Sequence, residues 1–86
     1  MVSLTMQALN RYEIRCEPNI ENVLRIINMF AQRGFDPENV KIAKRMNDYL
    51  VEISIRDIEH AHAALVAQKI AALVMIHSVE HMQPVR

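Results

Sequence analysis

The chain contains one cysteine, one glycine, three prolines and no tryptophan in 86 residues, and each scarcity closes off a class of protein. With Cys16 alone there can be no internal disulfide, and a domain this small outside the cell ordinarily relies on such cross-links, which points to the cytoplasm. So little glycine and proline excludes collagen and linker-rich architectures, and a composition that is 51% hydrophobic excludes intrinsic disorder. Neither sign of charge dominates. Ten Lys and Arg balance ten Asp and Glu, so the electrostatic footprint of a phosphate-backbone grip is missing and nucleic acid is not an expected partner. No stretch approaches the ~18 apolar residues of a membrane span. Residues 1–7 lack a positive segment followed by an apolar one, so neither a secretory signal nor a membrane helix is expected.

What remains is one small domain, hiding ~60 to 65% of the surface of its unfolded chain. A neutral, half-apolar domain also lacks the self-repulsion that keeps proteins apart, so association with itself or with another chain is expected. From residue 10 to 16 the side chains alternate, with Tyr12, Ile14 and Cys16 on one face and Arg11, Glu13 and Arg15 on the other, which predicts a half-buried first strand. Glu17 and Pro18 break it and Asn19 stands where a helix N-cap belongs. Ile20, Val23, Leu24, Ile27, Phe30 and Ala31 then form an apolar stripe of helical period, closed by Gly34 as a left-handed stop. On that reading Ile26 and Met29 lie ~120° to 180° from the Ile20 direction and face outward, as a surface for a partner chain.

After a turn at Phe35, Asp36, Pro37 and Glu38, Val40, Ile42 and Met46 alternate with Lys41 and Lys44 in a polar strand whose lysines suit a sheet edge. Asn47 and Asp48 read as a turn, and residues 49–55 are strong β sequence with Tyr49, Val51, Ile53 and Ile55 on one face. Asp57 is a second N-cap candidate. Ile58, Ala61, Leu65 and Ala72 mark the stripe of a second helix, on which His62 and Lys69 intrude. The helix is expected to end near Ile70, residues 73–79 to form a last strand apolar on both faces, and residues 80–86 to fray. The order βαββαβ folds, through right-handed crossovers, into a ferredoxin-like α+β sandwich: a four-stranded antiparallel sheet of order 4-1-3-2 with both helices on one face. The other face, with Leu50, Glu52 and Ser54, is left bare and in part too apolar for solvent.

Candidate chemistry is thin. His77 and His81 would sit ~13 Å apart on a strand, and His60 and His62 ~200° apart on a helix, so neither pair forms a metal site. Cys16 has no partner cysteine and no adjacent base, which suits a small buried hydrophobe. Asp36 with Glu38 and Asp57 with Glu59 lie at element ends, where capping accounts for them. Arg33, Gly34 and Phe35 are similar to part of an RNA-recognition motif, but that motif belongs on a third strand rich in aromatics and here the three residues end a helix. A phosphate loop of the acylphosphatase kind is absent. No catalytic residue and no metal ligand is expected.

The segment from Tyr12 to Ile42, with the run EPNIENVLRII at residues 17–27 followed by Gln32, Arg33, Gly34 and Phe35, resembles the ACT domain. Within that group it is most similar to the short small subunits of acetolactate synthase (acetohydroxyacid synthase) isozyme II. The resemblance covers most of residues 10–79 and implies a single ACT domain over residues 8–79, with flexible termini at 1–7 and 80–86. It implies a non-catalytic, cytoplasmic regulatory subunit of branched-chain amino-acid biosynthesis that dimerises by sheet pairing. That subunit would activate a large subunit carrying thiamine diphosphate, magnesium and FAD, while holding no cofactor itself. A free-standing ACT-like amino-acid sensor is the alternative. The resemblance assigns effector binding to Glu17, Pro18, Asn19, Ile20, Gly34, Phe35 and Asp36. Two departures bear on it: Pro18 is followed by Asn19 where effector-binding members carry glycine, and Asp36 replaces an asparagine, so valine binding is expected to be weak or absent.

Overall fold

The computed structural model describes residues 9–56 and 58–82. Period-two alternation sets β1 (Leu9–Cys16) and β3 (Tyr49–Arg56), whose inward residues Tyr12, Ile14, Cys16, Val51, Ile53 and Ile55 are all buried. Between them lie α1 (Ile20–Ala31) and β2 (Asn39–Lys44), and after β3 come α2 (His60–Ala71) and β4 (Ile76–Met82). The sheet is antiparallel in the order β2-β3-β1-β4, the expected one, and the fold is the ferredoxin-like α+β sandwich. Asn19 caps α1, its Oδ1 accepting from the Glu21 amide at 2.8 Å. Gly34, at φ 77°, reverses the chain beyond the helix, and its amide donates to Ala31 O at 2.9 Å while that of Phe35 reaches Phe30 O at 3.0 Å. A Cβ there would meet nothing within 4 Å, so the glycine is required for its backbone angle, not for space.

Four sequence expectations are corrected. On α1 the buried residues are Val23, Ile26 and Phe30, and Met29 packs partly buried against the core. Ile26, expected to face outward, is fully buried, whereas Ile20 and Leu24 are 55% and 57% exposed. The physical reason is that the apolar residues cover ~220° of the helix circumference at 100° per residue, from Met29 through Ile26, Phe30 and Val23 to Ile20 and Leu24. One sheet covers only about half of that arc, and periodicity cannot say which half. On α2 the core stripe is Ala63, Val66 and Ile70, while Ala61, Leu65 and Ala72 are exposed. Five alanines in twelve residues leave too little contrast to set the phase.

The last strand lies three residues later than expected. α2 runs to Ala71, a turn follows in which the Ile76 amide donates to Leu73 O, and Glu80, His81 and Met82 belong to β4, paired with Glu13, Tyr12 and Arg11. Opposite Arg15 and Cys16 the register shifts, so that His77 is the extra residue of a bulge and remains exposed. Asp57 lies outside the described residues; the residue that stands at the N-cap of α2 is Glu59, without a side-chain capping bond. Finally, the bare sheet face is more polar than expected, with Leu50 lying in register between Arg15 and Ala43. In register across it run Glu80, Glu13, Glu52 and Lys41, with Arg11 and Arg15 on either side along β1, a surface suited to water.

The core is organised around Tyr12. Its hydroxyl donates to Ala63 O of α2 at 2.9 Å, its ring meets Phe30 of α1 edge-on at 5.0 Å, and it stacks on His81 of β4 at 4.6 Å and 8°. Burial pushes its pKa up to about 12, so it remains a donor. His81 Nε2 lies 2.8 Å from Oδ1 of the buried Asn10, and desolvation, with His60 adding a smaller effect, holds its pKa below the usual imidazole value.

Two outcomes follow. Ile26→Ala is expected to cost ~2 to 5 kcal/mol in urea denaturation, as for other large-to-small core changes; a loss under ~0.5 kcal/mol would place Ile26 outside the core. The unfolded chain binds a proton at His81 more readily than the folded one, so neutral His81 stabilises the fold above an unfolded pKa of about 6.5. That stability is lost as pH falls through the lower folded value. The urea midpoint should therefore drop between about pH 7.5 and about pH 5, and His81→Phe should flatten that slope. An unchanged slope in the variant would assign the acid sensitivity elsewhere.

Candidate functional site

The effector residues implied by resemblance fall at the two ends of α1. Glu17, Pro18, Asn19 and Ile20 lead into its N-terminus, whereas Gly34, Phe35 and Asp36 follow its C-terminus. Twelve helical residues at 1.5 Å each separate the groups by about 18 Å, so within one chain they do not form one pocket.

At the N-terminal end the loop is tied down. The Glu17 amide donates to Met75 O at 2.9 Å and Asn22 Nδ2 donates to Glu17 O at 3.1 Å. Asn19 receives three successive amides: that of Glu21 on its side chain, and those of Asn22 and Val23 on its carbonyl at 3.0 and 3.4 Å. A helix N-terminus attracts an anion through such amides, but here the cap side chain already takes the position a carboxylate would use. Two apolar loop tips stand at this same end of the sheet, Met46 at 90% exposure and Val74 at 96%. On either side of Met46, Arg45 clasps Asp48 through two nitrogens at 2.8 and 2.9 Å, and this holds the Asp48 carboxyl below its usual pKa. Cys16 lies buried beneath, its thiol pushed up by burial and then by the charges of Asp48 and Glu17, which keeps it a protonated hydrophobe.

At the other end Phe35 is half-buried and lines a cleft with Arg33, His62, Leu65 and Val66. Sequence reasoning singled out Phe35 as a site residue and missed Arg33, His62 and Leu65. The signal available was that His62 and Lys69 spoiled the stripe assigned to α2, which marks that side of the helix as outward.

The outward apolar surface is on the helix-bearing side of the molecule. α1 carries the chain from β1 over β3 to β2, which places it nearest the β2 edge. Ile20 and Leu24 of that helix are exposed, and so are Val40 and Ile42, which pair with the inward residues Ile53 and Val51 and so lie on the helix-bearing face. Among the described residues β2 pairs only with β3, and its other backbone edge has no strand beside it. Ile26 and Met29, expected to face a partner, lie in and against the core, and the exposed apolar residues of α1 are Ile20 and Leu24.

Among the described residues no group of three or more His, Cys, Asp or Glu is placed to hold a metal ion. His77 is exposed at its bulge while His81 turns to Asn10, so the two do not converge. No described helix is long and apolar enough to cross a membrane.

Comparison with known proteins fits this geometry. The solved structures it resembles include the ACT domain of GTP pyrophosphokinase from Chlorobium tepidum, with a TM-score of 0.74 at 11% identity over 86% of this chain and 96% of that one. The C-terminal domain of MgtC from Mycobacterium tuberculosis gives 0.70 at 8% identity over 91% and 88%. An uncharacterized protein from Thermotoga maritima gives 0.71 at 8% identity over 87% and 94%. Identities this low speak for the fold alone. No curated protein matches. The family model for the ACT-like domain matches residues 3–85, and the chain belongs to that family.

Proposed function

We propose that this chain is a non-catalytic, ligand-responsive regulatory domain that works as a pair, two copies joining edge to edge through β2 and α1. The observation that supports it is the coincidence, on one side of the molecule, of an unpaired strand edge with exposed Ile20, Leu24, Val40 and Ile42. An isolated edge strand invites pairing unless it is blunted, and here Lys41 and Lys44 are its only blunting charges. Joining two copies at β2 would continue the sheet across both chains and bring the outer stripes of two α1 helices together. A loop-bound effector would then sit near the seam and act by favouring or opposing the pair, since a ligand shifts an equilibrium only by binding its two states unequally. Asn19 makes amino-acid binding at that loop weak, because a carboxylate must displace its side chain from the Glu21 amide.

The sensor reading asks for nothing beyond this module. The narrower reading, an activating small subunit of acetolactate synthase, is supported by the sequence resemblance at residues 17–27 and 32–35 and adds a thiamine-dependent large subunit as partner. Copurification with such an enzyme, and a rise in its activity, would favour the narrower reading; its absence leaves the sensor.

Sedimentation velocity tests the pair. The natural chain should sediment as a dimer at micromolar concentration, and the double variant Ile20→Lys with Leu24→Lys as a monomer with an unchanged far-ultraviolet circular dichroism spectrum, since both side chains lie outside the single-chain core. A natural chain that stays monomeric, or a double variant that stays dimeric, would overturn the proposal.

A further inference from the structure

Between the turn that closes α1 and the early turns of α2 lies a cleft of about 230 Å³, lined by Arg33, Phe35, His62, Leu65 and Val66. Its lining is divided in character. Phe35, Leu65 and Val66 make an apolar wall, with Val66 buried and Leu65 left 44% exposed at the opening. Arg33 and His62 supply the polar side. Arg33 Nη1 donates to Met29 O in the last turn of α1 at 3.1 Å, which anchors the guanidinium beside the negative end of that helix and leaves the rest of its planar fork for another acceptor. The His62 ring lies 6.4 Å from that of Phe35, and its Nδ1 is 3.4 Å from a Glu59 carboxylate oxygen, so Nε2 is the nitrogen left for a ligand.

We propose that this cleft binds a small monocarboxylate with an apolar body, the carboxylate on Arg33 with His62 beside it and the hydrocarbon against Phe35, Leu65 and Val66. A guanidinium fork matches two carboxylate oxygens, which a point charge does not. The volume falls below the ~300 to 1,000 Å³ of drug-sized pockets and restricts the ligand to a fragment-sized metabolite. None of the five lining residues is acidic, so an ammonium group finds no counter-charge in the lining. The site thus selects a plain carboxylic acid over the amino acid of the same skeleton, and it lies at the opposite end of α1 from the Asn19 loop.

The test is a titration of the isotopically labelled full chain with 4-methylpentanoate, its amide, and leucine, followed by amide resonances in two-dimensional NMR. Saturable shifts should cluster at Phe35, His62, Leu65 and Val66, with the amide and leucine each binding at least about tenfold more weakly than the acid. Arg33→Gln should weaken the acid by about tenfold or more, while leaving resonances of the β-sheet in place. If Arg33→Gln fails to fold, Leu65→Glu, which sets a carboxylate at the opening, replaces it and should likewise abolish the shifts. Absence of saturable shifts at the cleft, equal binding of the amide, or binding that survives the folded variant would overturn the proposal. A monomer that still binds the acid refutes the pair and leaves the cleft; a dimer that ignores it does the reverse.

Discussion

A single phenol ties the layers together. Tyr12 stands in β1, the strand that pairs with both β3 and β4, and from there its ring reaches α1 through Phe30, β4 through His81 and α2 through the hydroxyl on Ala63 O. A small domain hides too little surface to depend on apolar area alone, and a buried ring with a satisfied donor supplies large contact area and direction at once. The hydrogen bond is directional, so it fixes where α2 lies along the sheet in a way that alanine contacts cannot. Asn10 and His81 extend the same polar thread to the far strand, and each is partnered. Asn10, the one buried polar residue among those described, is therefore satisfied, as the cost of an unpaired buried amide demands.

With the sheet fixed from one side, the balance of exposed surface decides what the molecule does next. The uncovered sheet face is laced with glutamate and arginine and is at ease in water. The unsatisfied surface lies instead at the β2 edge, where α1 offers a second apolar face. One helix thus carries two apolar faces: Val23, Ile26 and Phe30 hold the domain together, and Ile20 and Leu24 stay exposed, where the proposed pairing would cover them. The outward surface expected at Ile26 is therefore not available, since that side chain is fully buried. The bare sheet face is apolar only in part: Leu50 lies in register between Arg15 and Ala43, beside the row of charges through Glu13 and Glu52.

The elements and their order were legible because each carried a local signal. Alternation marked Tyr12, Ile14 and Cys16, Asn19 marked the start of α1, Gly34 its end, and the lysines of β2 the edge. Rotational phase was not legible. An apolar arc wider than one interface leaves the choice between Ile26 and Leu24 to tertiary contact, and the alanines of α2 leave its phase open for the opposite reason, too little contrast. The start of β4 depended on a bulge at His77, a feature set by pairing with β1 and not by any residue type. At the candidate sites, the cap at Asn19 was legible from its residue type and place before the helix. The cleft at Arg33 and His62 was not, because its two sides come from segments about thirty residues apart that only the fold brings together.

The central claim is that the free edge of β2 is a seam between two copies. Hydrogen exchange of the backbone amides in Asn39–Lys44, followed as a function of protein concentration, tests it most directly. Amides on the outer edge of β2 should exchange slowly in concentrated protein and rapidly on dilution, while those bonded to β3 stay protected throughout. Outer-edge amides that exchange rapidly at every concentration would contradict the account.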